Sequence, residues 1–79
     1  MEIDSLIRMA NQIGAFFEAM PDRAEALEGI SQHLERYWEP RMRRELLAHV
    51  EVHGSAGLNS LVAEAIGCHA GELAGPGRG

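Results

Sequence analysis

Apolar residues recur at helical spacing over the first twenty positions, and this pattern predicts an amphipathic helix from Asp4 to Met20. Asp4 is the expected N-cap, and Pro21 ends the helix because the residue before a proline disfavours the α region. The apolar stripe covers roughly half of the helix surface, wider than a one-sided stripe. Either a small bundle wraps this helix, or the helix contacts something besides its own core. The apolar positions are Ile3, Leu6, Ile7, Met9, Ala10, Ile13, Phe16, Phe17 and Met20.

Two further helices are predicted on either side of Pro40. The first begins after Asp22, which can cap it, and ends near Trp38 because a proline cannot continue a helix. The second begins at Pro40, whose fixed φ suits the first helical position, and runs to about His53. Their apolar stripes are Leu27, Ile30, Leu34 and Trp38 in the first, and Met42, Leu46, Leu47 and Val50 in the second.

A turn, a short fourth helix and a tail complete the chain. Residues 54–57 form the predicted turn, and Asn59 caps a helix with an apolar stripe from Leu58 to His69. From Gly71 onward the sequence is rich in glycine and has no periodicity, which predicts a disordered, flexible tail over residues 71–79. The pattern therefore predicts an all-α fold, a small bundle of three to four short helices, with residues 1–70 as a single domain.

The length of the chain limits the size of its core. A domain of 79 residues buries only about 60 % of its unfolded surface, and small domains usually need a disulfide, a metal or a partner. Cys68 is the only cysteine, which excludes an internal disulfide, a four-cysteine zinc site and a cysteine-held iron–sulfur cluster. A partner chain is the stabilising element that the composition leaves most open.

Charge and hydropathy limit where in the cell this chain is expected and which classes of partner it can bind. The formal net charge is −5, with seven arginines and no lysine, so nucleic-acid phosphates would repel the chain overall. The N-terminus has no basic region followed by a long apolar core, and no run approaches the ~20 apolar residues of a membrane span. We therefore expect a cytoplasmic protein with no membrane and no nucleic-acid partner.

Two small clusters contain residue types that are capable of metal binding or catalysis. His49 and His53 lie four residues apart on one helix face, a spacing that can chelate a metal, but no third ligand is evident. Cys68 and His69 are adjacent, and adjacent helical side chains do not face each other. Solvent-facing histidines near a helix end are the favoured interpretation of the first cluster. A Cys–His catalytic pair at the second would need another histidine from elsewhere, with an orienting partner. The sequence predicts no catalytic, cofactor-binding or metal-binding residue in this chain.

The stretch from Arg36 to Arg44 concentrates the side chains that most often carry interface energy. It holds the one Trp, the one Tyr and four of the seven arginines. Positive charge at a helix start interacts unfavourably with the helix dipole, so arginines there favour nearby carboxylates that neutralise them. The stretch is therefore a solvated face, a partner-facing surface, or, less in keeping with the net charge, part of a DNA-reading helix-turn-helix.

Two blocks of the sequence resemble the delta subunits of NAD-dependent formate dehydrogenases. Arg8-Met9-Ala10-Asn11-Gln12-Ile13, followed by Phe16-Phe17, is similar to the first helix of that family. Tyr37-Trp38-Glu39-Pro40-Arg41-Met42-Arg43, followed by Leu46-Leu47-Ala48-His49, is similar to its second hallmark block. The resemblance covers about residues 4 to 66, and the tail after Gly67 lies outside it.

The resemblance implies a non-catalytic accessory subunit of a soluble, multi-subunit formate dehydrogenase. In such enzymes the alpha subunit holds a bis-pterin molybdenum or tungsten cofactor and iron–sulfur clusters. The beta and gamma subunits hold FMN, further clusters and the NAD site. The delta subunit has no redox centre and is linked to assembly or stability of the complex. By this resemblance, the chain binds the alpha subunit and holds no cofactor. The small core and the wide apolar face of the first helix further predict that the isolated chain gains stability from self-association or from its partner.

The expected partner interface combines polar, aromatic and arginine positions from the two blocks. The competing hypothesis is a stand-alone small helical binding module or regulator, with nucleic acid among its candidate ligands. The interface residues are Asn11, Gln12, Phe16, Tyr37, Glu39, Arg41, Arg43 and Arg44.

Overall fold

A computed structural model describes residues 2–74 of the chain, which fold into four α-helices. No strand occurs within these residues, so the all-α prediction is confirmed. None of the helices in this part of the chain is long and apolar enough to cross a membrane. The helices are α1 (Ile3–Phe17), α2 (Arg23–Tyr37), α3 (Pro40–His53) and α4 (Ser60–Ala74).

Side-chain caps start two of the four helices where the sequence predicted them. The Asp22 carboxylate accepts a hydrogen bond from the backbone N–H of Glu25 at 3.1 Å. Asn59 Oδ1 accepts from the backbone N–H of Leu61 at 2.8 Å, in the first turn of α4. The prediction for α1 was wrong, because Asp4 lies inside the helix and the cap position, Glu2, makes no side-chain cap bond. Helix α1 also ends at Phe17, three residues before the expected Met20.

The bend between α2 and α3 follows from Pro40. Trp38 and Glu39 have extended backbone conformations, and Pro40 occupies the first turn of α3. Trp38 is buried, and its backbone N–H still donates to the backbone carbonyl oxygen of Leu34 at 3.1 Å. The predicted end of α2 and start of α3 are thus confirmed, and Trp38 is buried with the other residues of its apolar stripe.

The core forms where all four helices meet, and α4 packs most extensively against α2. On α1 the buried positions are Leu6, Ala10 and Gly14, one face at intervals of four. Gly14 permits a close approach of α1 to α4, because a Cβ there would lie 2.7 Å from Cγ2 of Val62 on α4. The buried apolar side chains are Leu6, Ala10, Ala26, Leu27, Ile30, Leu34, Trp38, Leu46, Leu61, Val62, Ala65, Ile66 and Leu73.

The turn between α3 and α4 requires two glycines. Gly54 has φ +82° and Gly57 has φ +87°, in the left-handed region that side chains with a Cβ rarely adopt. The turn is held to α1 by Asn11, which donates from Nδ2 to the carbonyl oxygen of Gly57 at 2.9 Å. Asn11 Oδ1 also accepts from the backbone N–H of Asn59 at 2.7 Å. One amide side chain therefore fixes the approach to α4.

Helix α4 is longer than expected. It contains a kink at His69 (φ −121°, ψ 21°) and then continues to Ala74. Residues 71–74, which the sequence analysis assigned to the flexible tail, are therefore helical. The reason is tertiary packing, because Leu73 is 1 % exposed and belongs to the core. The remainder of the expected tail, residues 75–79, lies outside the described residues.

Candidate functional site

An open groove of about 470 Å³ runs between α1 and α2. Two of its side chains are largely exposed, Phe16 at 74 % and Tyr37 at 68 %. A shallower part of about 240 Å³ adjoins it along α2 and shares Phe17, His33 and Tyr37 with it. We refer to both parts together as the α1–α2 groove. Its lining residues are Met9, Gln12, Ile13, Phe16, Phe17, Gly29, Gln32, His33, Arg36 and Tyr37.

Ring contacts hold the aromatic side chains of the groove in place. The rings of Phe16 and Phe17 meet edge to face, with centroids 5.2 Å apart. Tyr37 lies against His33, one turn earlier on α2, with ring centroids 4.8 Å apart. A Cβ at Gly29 would lie 2.5 Å from Cε1 of Phe17, so the absence of a side chain there lets that ring lie low in the groove. Each wall of the groove therefore presents a positioned aromatic ring.

The wide apolar stripe of α1 divides between the core and the groove. Leu6 and Ala10 face the core, whereas Met9, Ile13 and Phe16 line the groove. The sequence alone left open whether the bundle would cover the whole stripe. In the structure it does not, because Phe16 remains exposed.

The structure separates the predicted interface residues into exposed and internal ones. Gln12 lines the groove, and Glu39, Arg41 and Arg44 are exposed around the start of α3. Asn11 instead has both ends of its amide committed to the α3–α4 turn. Its role within residues 2–74 is structural.

Arg43 does not face solvent, although it was named among the expected interface residues. The residue is 2 % exposed, and Nη1 donates to the backbone carbonyl oxygen of Glu35 at 2.7 Å. Its long side chain crosses from α3 to the last turns of α2 and secures the bend. We therefore remove Arg43 from the candidate interface.

The histidines of α3 do not form a recognisable metal centre. His49 and His53 lie with ring centroids 4.9 Å apart. Within residues 2–74, no group of three or more His, Cys, Asp or Glu side chains could hold a metal ion. Cys68 is exposed on α4, within the last turns before the kink. The arrangement provides a pair of imidazoles and an isolated thiol.

An ion pair outside the groove joins the start of α2 to α4. Arg23 donates to Glu64 from two nitrogens, with Nε 3.0 Å from Oε1. The hydrogen bond to Glu64 and then its charge hold the pKa of Arg23 above its ordinary value. Both side chains are about half exposed, so solvent screening limits what the pair contributes to stability.

Sequence reasoning missed four groove residues that sit on α2. Gly29, Gln32, His33 and Arg36 line the groove, and none was named as an interface candidate. Together with Tyr37 they recur at intervals of three and four residues, which places all of them on one helix face. That signal was available, but it does not reveal that α1 lies beside this face.

These observations define a class of protein: a small four-helix domain with an aromatic-lined surface groove and no multi-ligand metal cluster in its described part. Residues 5–66 match the family described as NADH-dependent formate dehydrogenase delta subunit FdsD. The matched segment is most of the chain, and the chain belongs to this family. The comparisons of this chain with curated proteins and with solved structures gave no significant match.

Proposed function

We propose that this chain is a non-catalytic accessory subunit that binds the catalytic alpha subunit of a soluble NAD-dependent formate dehydrogenase. In this role it supports the assembly or stability of a complex that also contains beta and gamma subunits. The observation that carries the proposal is the α1–α2 groove. Phe16 and Tyr37 are exposed there in a chain whose family is one subunit of a larger enzyme. Aromatic residues are enriched among those that contribute most to binding.

The start of α3 extends the proposed contact surface beyond the groove. Arg41 lies in the first turn of α3, where the helix dipole opposes a positive charge. Arg41 and Arg44 are exposed, and neither forms an ion pair within residues 2–74. Carboxylates on the alpha subunit would neutralise both. With Gln12 and Glu39, these residues form the polar rim of the proposed interface.

The redox cofactors of the enzyme belong, in this proposal, to the partner subunits. An iron–sulfur cluster is typically held by about four cysteine thiolates, and this chain has only Cys68. A metal on His49 and His53 would lack a third protein ligand from residues 2–74. The donor groups present therefore do not fit an iron–sulfur cluster, and we assign the bis-pterin molybdenum or tungsten centre and FMN to partner subunits as well.

The proposal places the chain in the cytoplasm and assigns it no membrane or nucleic-acid partner. The competing hypothesis of a stand-alone nucleic-acid-binding regulator is opposed by the formal net charge of −5. Exposed arginines at the start of α3 are its one supporting feature, and acidic residues such as Glu39 and Glu45 lie beside them.

Affinity purification tests this function directly. The tagged chain is co-expressed with the alpha, beta and gamma subunits, and the lysate is treated with nuclease before purification. We expect the alpha subunit to be recovered with the tagged chain in a fixed ratio, together with molybdenum or tungsten. Recovery of the tagged chain alone, or only together with nucleic acid when nuclease is omitted, would contradict the proposal.

A further inference from the structure

We infer that the α1–α2 groove receives an amphipathic helix of the partner subunit, and that this helix bears a carboxylate beside its apolar stripe. The inference rests on the proposed function and specifies what the partner must present. It concerns the groove alone and leaves the start of α3 as a separate part of the contact.

The charge of the groove differs from that of the chain as a whole. The chain has 12 acidic residues, yet none of those whose side chains the structure describes lines either part of the groove. Two other grooves do contain carboxylates, including Glu28 in one and Glu18 in the other. The shallower part of the α1–α2 groove is instead lined by Arg36, which carries a positive charge. Its occupant should therefore be apolar with a negative charge at the Arg36 end.

Arg36 is available to meet such a charge. It is exposed, and within residues 2–74 it takes part in no ion pair. A guanidinium presents a planar set of donors that matches a carboxylate in a two-point contact. Partial shielding by the neighbouring aromatic rings would strengthen that contact relative to one in open water.

One wall of the groove is long enough for two turns of a helix. Met9, Ile13 and Phe16 lie on one wall at intervals of four and three, which spans about 10 Å along α1 at 1.5 Å per residue. This is the length of two helical turns. Apolar anchors of an amphipathic helix recur with the same spacing, and laying such a helix into an apolar groove is a recurrent mode of recognition.

A second copy of this chain is a poorer occupant. In a two-fold symmetric contact, each copy presents the same patch to the other. The two Arg36 guanidinium groups would then face a shared surface without any carboxylate in its lining. The contact would bury cations with no opposite charge, which is costly. Charge complementarity thus favours a different polypeptide.

Two substitutions alter the groove in independent ways. Phe16→Asp removes an exposed ring and adds a carboxylate, whereas Arg36→Glu reverses the charge without removing an aromatic contact. The matched control is Val52→Asp, because Val52 is equally exposed, at 75 %, and lies on α3 outside the groove lining. Circular dichroism verifies that each variant remains helical.

The variants are compared in the four-subunit complex. We expect Phe16→Asp and Arg36→Glu each to reduce recovery of the alpha subunit by about 10-fold or more, as loss of a dominant interface residue does. Val52→Asp should leave recovery unchanged. If both groove variants recover as much alpha subunit as Val52→Asp, the groove is not the contact, although the proposed function stands. If the wild-type chain recovers no alpha subunit, the proposed function itself fails.

Gly29→Ala supplies a variant that narrows the groove without replacing any of its other lining residues. The added Cβ would press on the ring of Phe17 and push it toward the space that the helix needs. We expect reduced recovery of the alpha subunit with helicity retained. Gly67→Ala is the control, because nothing lies within 4 Å of a Cβ at that position.

Cross-linking identifies the occupant. Benzoylphenylalanine replaces Tyr37 in the assembled complex, and the peptide that it captures on irradiation is sequenced by mass spectrometry. We expect a partner segment with apolar residues at helical spacing and an adjacent Asp or Glu. Capture of this same chain, or of a partner segment without a carboxylate, would overturn the inference.

Discussion

Single arginine residues of this chain have different roles that their sequence positions do not distinguish. Arg43 is buried and bonded to the backbone of α2, whereas its neighbour Arg44 is exposed. Arg23 is bound to Glu64, and Arg36 lines the groove. Stability should therefore depend on Arg43, and binding on arginines that solvent reaches in the isolated chain.

Replacement of Arg43 tests this division. Arg43→Ala removes a charge-assisted hydrogen bond and leaves a cavity, so we expect the free energy of unfolding to fall by about 2–4 kcal/mol. Arg44→Ala, the adjacent exposed position, should change it by less than about 0.5 kcal/mol. Urea unfolding followed by circular dichroism measures both. Equal stability of the two variants would show that Arg43 does not secure the bend.

The same division limits what the sequence could predict about the candidate site. Phe16, Tyr37 and Arg41 were named as interface residues and are exposed. Asn11 and Arg43 were named with them and are used inside the chain. Helical periodicity assigns a residue to a face, but it does not say which other helix covers that face. A polar residue on a partly covered face can therefore be a structural bond or a binding contact.

At the scale of helices, local chemistry predicted some boundaries and missed others. Asp22, Pro40 and Asn59 act within one turn of their own positions, and the helix starts that they specify are confirmed. The end of α4 depends on Leu73, which packs into a core built from the other helices. Because that contact is long-range, local composition does not reveal it. The glycine-rich sequence around Leu73 therefore predicted an end of α4 that is too early.

Helix packing gives a second test, at Gly14. A Cβ at this position would lie 2.6 Å from Cγ of Asn59 and 2.7 Å from Cγ2 of Val62. Gly14→Ala should thus destabilise the chain by about 1–3 kcal/mol through overpacking, although alanine favours helix. Gly67→Ala, in open space on α4, should stabilise it by up to about 1 kcal/mol. Thermal unfolding measures the change in stability of both variants. Stabilisation by Gly14→Ala would contradict the close contact of α1 with α4.

At the scale of the whole molecule, the chain is a flat bundle of about 31 × 30 × 18 Å. The shortest dimension leaves room for two layers of helices, whose axes pack about 8–10 Å apart. So thin a bundle cannot enclose every apolar stripe, and Phe16 on α1 remains outside. A partner that covers this surface stabilises the folded chain by mass action, because it binds the folded state and not the unfolded one.

The central claim is that this chain supports assembly of the enzyme without taking part in its chemistry. The most direct test is to produce the formate dehydrogenase with and without this chain. Two quantities are then measured: the amount of assembled enzyme, and formate-dependent NAD reduction per bound molybdenum or tungsten. We predict that omission lowers the amount of assembled enzyme severalfold, while turnover per bound metal in the remaining enzyme stays within about twofold. An unchanged amount of enzyme, or a loss of turnover per metal of about 100-fold, the lower range for loss of a general acid or base, would contradict the claim.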